Sequence, residues 1–170
     1  MRETLHEAPL FPVPEPGPGS GSPAGQGTIV YVHPQEQACR AFSKRLAPEL
    51  PEYRVVSAHS SEEACARTRR LVPDCVVVDR LPDGQTQGNL VRALRGLDVA
   101  SLLPILTLDD GKSPRARGAA APDASLPSDA PATLLATTLR LLFRVKRGED
   151  QLRAAQQRMD VAAAAERQAL

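Results

Sequence analysis

Four short runs of β-branched and aliphatic residues constrain what this chain can become. The clearest is Cys75-Val76-Val77-Val78-Asp79, opened by Pro73 and closed by a charge. Thr28-Ile29-Val30-Tyr31-Val32, Tyr53-Arg54-Val55-Val56-Ser57-Ala58 and Leu103-Pro104-Ile105-Leu106-Thr107-Leu108 are of the same kind. Runs of this length suit strands, and a near-continuous apolar run suits a strand buried on both faces of a parallel sheet. The stretches between them read as helices. Gln35 to Leu46 puts Cys39, Phe42 and Leu46 on one face, and Pro48 and Pro51 end it. Ser60 and Glu63 have capping-box spacing and open a helix to about Leu71. Gly88 to about Leu97 turns Leu90, Val91 and Leu94 inward. Ala124-Ser125-Leu126 fits a short edge strand, and a long helix is expected from about Asp129, with Pro131 tolerated in its first turn. Strands alternating with helices imply a doubly wound parallel sheet of five strands joined by right-handed crossovers.

Outside this frame the chain changes character. Residues 1–27 are rich in proline and glycine, as in Pro12-Val13-Pro14-Glu15-Pro16-Gly17-Pro18-Gly19, and read as a disordered leader that cannot bury enough apolar area to order itself. Gly111 to Ala121, with Pro114 inside it, reads as a loop or at most a poor helix. One domain is expected over residues 28–147, followed by a helical extension over 148–170.

Composition excludes several roles. Lysine plus arginine is 21 and aspartate plus glutamate is 20, so no global field draws the chain to nucleic acid or an anionic membrane. No apolar run reaches the roughly 20 residues that cross a bilayer. Three cysteines, Cys39, Cys65 and Cys75, show no metal-ligand spacing and read as small buried residues of a cytoplasmic protein. There is no glycine-flanked serine elbow and no glycine-rich phosphate loop ending in lysine, so hydrolase and nucleotide-binding chemistry lack support.

In sheets of this kind, sites form beyond the carboxyl ends of the strands. That rule selects His33, Asp79 and Asp109, and predicts that they converge on one cleft. At this point the chain resembles the response-regulator receiver domains over about Thr28 to Arg144. The resemblance rests on Pro73-Asp74, the apolar strand, Asp79, the Leu81-Pro82-Asp83-Gly84 loop, Pro104-Ile105-Leu106, Gly118-Ala119 and Leu126-Pro127. It implies a flavodoxin-like fold and makes Asp79 the candidate phosphoacceptor.

A working receiver needs Mg²⁺ to offset charge as a carboxylate attacks a phosphoryl group, and that ion demands oxygen ligands. The resemblance implies an acidic pair after the first strand, a lysine before a proline at the last strand, and a hydroxyl after the fourth. Here those positions hold His33 and Pro34, Leu126, and Asp109. Glu36 is close by, but on the first turn of the helix. A two-residue slip would restore Thr107, which strand alternation places in the sheet interior or toward solvent. Arg80 follows Asp79 at once, in a loop one residue shorter than the usual pattern, and Asp109 and Asp110 beside Asp79 would repel its charge unless Arg80 or Lys112 compensates.

The pocket therefore reads as degenerate: Asp79 stays, while His33, Pro34, Arg80, Asp109 and Leu126 replace its helpers. The favoured reading is a pseudo-receiver that signals by protein contact, with no enzymatic activity and no cofactor. One alternative is a genuine phosphoacceptor, charged at Asp79 by a histidine kinase with Mg²⁺. Another is a metal or small-ligand sensor using His33, Asp79 and Asp109. On the last helix Leu134, Thr138, Leu141, Val145, Gly148, Leu152, Ala155, Met159, Ala162, Glu166 and Ala169 form one stripe, whose first part is expected to pack on the sheet and whose remainder is expected to dimerise as a weak coiled coil, with Gly148 a soft point. Arg140, Arg144, Lys146 and Arg147 read as a solvated face.

Overall fold

The computed structural model describes residues 27–82, 85–98, 102–110, 118 and 121–168. The leader up to residue 26, Asp83-Gly84, most of the 111–120 segment with Lys112, and Ala169 lie outside the described residues. Five parallel strands run in the order β2-β1-β3-β4-β5: β1 (Gly27–Val32), β2 (Tyr53–Ala58), β3 (Cys75–Val78), β4 (Ile105–Asp109) and β5 (Ala124–Pro127). The helices are α1 (Glu36–Leu46), α2 (Ser61–Leu71), α3 (Gln87–Arg95) and α4 (Ala132–Gln168). This is the flavodoxin-like doubly wound order, whose direction reverses between β1 and β3.

Strand alternation sorts the core into two layers. Ile29, Tyr31, Cys75, Val77, Leu106 and Leu108 face α1 and the first turns of α4, where Phe42, Leu46, Leu135, Leu139 and Phe143 meet them. Val30, Val32, Val76, Val78 and Ile105 face the other way, onto Ala64 of α2 and Leu90, Val91 and Leu94 of α3. Each aliphatic side chain so buried contributes about 1.5–3 kcal/mol relative to exposure. Two aromatic stacks reinforce the first layer: Tyr31 on Phe42 with ring centres 3.9 Å apart, and Tyr53 on Phe143 at 4.2 Å. Gly27 opens β1, although its composition groups it with the leader. A Cβ there would lie 2.0 Å from the Tyr53 ring, so glycine is what lets the strand start beneath that stack.

Local signals explain most ends. The Ser60 hydroxyl accepts from the Glu63 amide at 3.1 Å, while the Glu63 carboxylate takes the His59 amide at 2.7 Å. The capping box thus closes one residue earlier than the usual reciprocal pair. Asp74 takes the Thr28 amide at 2.8 Å and returns its own amide to the Thr28 carbonyl, so it ties the start of β1 to the approach to β3. The last helix starts at Ala132, not Asp129, because Ser128 and Asp129 form a turn in which the Ala130 amide bonds the Pro127 carbonyl. That helix runs unbroken through Gly148, with no interruption at the expected soft point.

Candidate functional site at the carboxyl edge of the sheet

Asp79 leaves the end of β3 held by its backbone, whose amide donates to the Val32 carbonyl at 3.1 Å. One oxygen of its carboxylate is occupied, although the residue is part-exposed and lines a cavity. The Tyr31 hydroxyl donates to Oδ2 at 2.5 Å. Tyr31 pairs with Val77 across β1 and β3, so its ring climbs the same face as Asp79 and brings the phenol over it. Burial, and after it the bond to Asp79, pushes the Tyr31 phenol far above the ordinary tyrosine value. The group therefore stays a hydrogen-bond donor at any physiological pH.

A second side chain closes the edge. The Gln87 amide, at the first position of α3, donates to the Leu108 carbonyl at 2.8 Å and also to the Asp79 carbonyl. It stitches the residue after β3 to the last residues of β4, giving a donor to two backbone carbonyls at this edge. Beside it a cavity of about 630 Å³ is lined in part by Asp79, Arg80, Thr107, Asp109, Asp110 and Asp123. Thr107 faces this cavity and bonds the Ser125 hydroxyl at 2.8 Å. Asp123 is occupied structurally, taking the Ile105 amide at 2.7 Å and Arg95 at 2.6 Å.

The three residues selected by the strand-end rule separate. Asp79 and Asp109 line the cavity, but His33 does not. The His33 ring is buried beside Tyr31, and its Nδ1 accepts the Gln35 amide at 3.0 Å. Among the described residues, no group of three metal-ligating side chains gathers at Asp79. Pro34 offers no donor. Leu126, at the position where the resemblance implies lysine, packs against the apolar layer shared with α1 and α4. These residues do not fit a magnesium ion: the neighbours of Asp79 after β1 bring no carboxylate, and one of its own oxygens is already bonded to a phenol.

Three features escaped the sequence. Tyr31 read only as an apolar strand residue, and Gln87 lay one position before the expected helix start. Glu36, Cys39 and His59 are brought together at the ends of β1 and β2, with one ligating atom from each lying within 4.8 Å of the others. A Val32–Ala58 pair ends that register, so the residues that follow, His33 and His59, emerge side by side. No spacing within one element could reveal that cluster.

A parallel α/β sheet with a carboxylate at its switch point defines the class. Within that class, several of the solved structures that match are response-regulator receiver domains. A CheY-like receiver domain from Methylobacillus flagellatus superposes with a TM-score of 0.59 at 19% identity, covering 69% of this chain and 98% of that one. The chemotaxis response regulator CheY4 of Vibrio cholerae gives 0.56 at 20%, covering 69% and 98%. The N-terminal domain of a response regulator/sensory box/GGDEF three-domain protein from Carboxydothermus hydrogenoformans gives 0.58 at 19%, covering 71% and 97%. No protein-family model matches the chain, and no curated protein matches it in sequence. The chain has the receiver fold, and its carboxyl edge is furnished differently from what the resemblance implies.

Proposed function

We propose that this chain is an atypical receiver-like domain of two-component-type signalling that acts through protein contact, with little or no dependence on phosphorylation. The observation that carries this reading is the Tyr31 bond to Asp79. A phosphoryl donor must reach the carboxylate oxygens along with a charge-offsetting cation, and here one oxygen is held by a buried phenol.

Contact is assigned to α4. Its first turns bury Leu135, Leu139, Leu142 and Phe143, whereas Leu141, Val145, Leu152 and Met159 of the same helix are 55%, 56%, 67% and 67% exposed. These four follow the heptad-like stripe; Leu141 and Val145 lie on the outward side of the sheet-packed part, and Leu152 and Met159 beyond it suit association with a second copy. Partners of this dimer are signalling proteins, a histidine kinase among them. No described helix is long and apolar enough to cross a membrane.

The test is incubation of the full chain with Mg²⁺ and a small acyl phosphate, read by intact mass. No adduct is expected. A stable adduct that disappears in Asp79→Asn would overturn the phosphorylation-independent reading in favour of a working phosphoacceptor. Sedimentation supplies the second arm: the wild-type chain is expected as a dimer and Leu152→Glu with Met159→Glu as a monomer. An identical mass for both removes the stalk.

A further inference from the structure

We propose that Glu36, Cys39 and His59 form a binding site for a zinc-class transition-metal ion, separate from the Asp79 edge. Glu36 and Cys39 stand three residues apart in the first turn of α1, so they share a face. His59 comes from the junction of β2 and α2. The Glu36 Oε2 and His59 Nε2 atoms are already 3.2 Å apart. Zinc bonds of about 2.0–2.3 Å in tetrahedral geometry set their ligating atoms roughly 3.3–3.6 Å apart. The carboxylate and imidazole are therefore at ligating separation, and the thiol, within 4.8 Å of both, needs an adjustment of about 1 Å.

The surroundings orient the imidazole as a ligand. The His59 Nδ1 atom lies 3.1 Å from the His33 carbonyl. A carbonyl only accepts, so Nδ1 carries a proton, and Nε2, 3.2 Å from the Glu36 carboxylate, is the nitrogen whose lone pair an ion would take in place of a shared proton. That arrangement is the outer-shell hydrogen bond by which metal-ligating histidines are held. The same carbonyl accepts from the Cys39 thiol at 3.6 Å, so one backbone oxygen positions two of the three donors. The His59 amide is in turn fixed by Glu63 at 2.7 Å. Arg40 binds Glu36 through Oε1, at 3.0 Å, and leaves Oε2 for the ion.

The donor set selects the metal. A thiolate with an imidazole favours zinc over magnesium or calcium, which prefer all-oxygen shells. One thiolate and one carboxylate neutralise a dication. Three protein ligands leave a fourth position for water, and the side chains of Glu36 and His59, 52% and 36% exposed, give the ion a way in.

Cobalt(II) is the direct probe on the full chain, with zinc(II) as competitor. Saturation at one ion per chain is expected, with tetrahedral visible bands and a thiolate-to-cobalt charge-transfer band, all erased by zinc. Cys39→Ser should remove the charge-transfer band. His59→Ala, at a part-exposed side chain that leaves the core intact, should weaken binding by at least the roughly 10–100-fold that loss of an outer-shell partner costs. His6→Ala and Cys65→Ser should change nothing. Absence of saturable binding, or a charge-transfer band and affinity that survive both Cys39→Ser and His59→Ala, overturns the site.

Discussion

The carboxyl edge of the sheet and the far half of α4 are opposites. At the edge, where the fold places chemistry, the described polar groups are tied to one another: phenol to carboxylate, amide to carbonyls, hydroxyl to hydroxyl. Along α4 beyond Lys146, the large apolar side chains face solvent, Leu152 and Met159 each 67% exposed. Unmet interaction capacity thus sits on the helix and not in the pocket. The contrast teaches that a shared architecture fixes where a site can form, whereas a few side chains decide whether anything can enter it.

The largest effects should come from the inner half of α4, which belongs to the core. Leu139→Ala and Phe143→Ala empty fully or nearly fully buried volume. They should cost about 2–5 kcal/mol in urea unfolding, since neither layer can collapse around the gap. Leu152→Ala on the same helix should cost under about 0.5 kcal/mol at concentrations where the chain is monomeric. A similar cost at both positions would break the division of the helix into core and free parts.

Next in size is Tyr31→Phe, which should cost about 1.5–3 kcal/mol as a hydrogen bond to a charged group is lost. It also has a pH signature. The phenol is raised in the folded state, so its contribution is complete below the ordinary tyrosine pKa of about 10. Above that value the unfolded chain ionises and the folded one does not, and stability falls as pH rises. Tyr31→Phe should flatten part of that alkaline fall. Tyr53 and the cysteines, raised by burial as well, keep the remainder. An unchanged alkaline slope would mean that the edge is less closed than its geometry states.

Gln87→Leu should follow, at about 1–3 kcal/mol, because it leaves the Asp79 and Leu108 carbonyls without their amide donor. Slower amide exchange at this edge in the variant than in the wild type would contradict the stitching role.

Much of this was legible along the chain. Strand runs such as Cys75–Val78 and the Ser60–Glu63 cap are local, and local chemistry settled them. What resisted reading depends on register and direction. Tyr31 meets Asp79 only because β1 lies beside β3, and His59 meets Glu36 only because β1 also lies beside β2. The expectation that His33 would share a cleft with Asp79 and Asp109 failed for a rotational reason: its ring turns inward beside Tyr31, and its Nδ1 caps the chain at Gln35. Thr107, expected in the sheet interior or toward solvent, turned out to be buried and to line the cavity. The stripe on α4 was visible as a period, but its first part, expected against the sheet, is turned away: Leu134, Leu141 and Val145 are exposed, and Leu135, Leu139, Leu142 and Phe143 pack there instead.

Gly148 gives the smallest effect and the sharpest probe of the helix. A Cβ at this position meets nothing within 4 Å, so Gly148→Ala adds no clash and removes only backbone freedom, favouring helix by about 1 kcal/mol. Where that free energy appears depends on coupling. If the far half is an independent appendage, helicity by circular dichroism rises while the urea midpoint of the domain stays put, because the unfolding of the sheet does not involve residues beyond Lys146. If two copies pair along Leu152 and Met159, the same substitution stiffens the joint between stalk and core, and dimer affinity rises by about fivefold for each helix stabilised by about 1 kcal/mol. A shift of the domain midpoint at concentrations too low for pairing would show that inner and outer halves melt as one unit, and the contrast drawn between them would have to be abandoned.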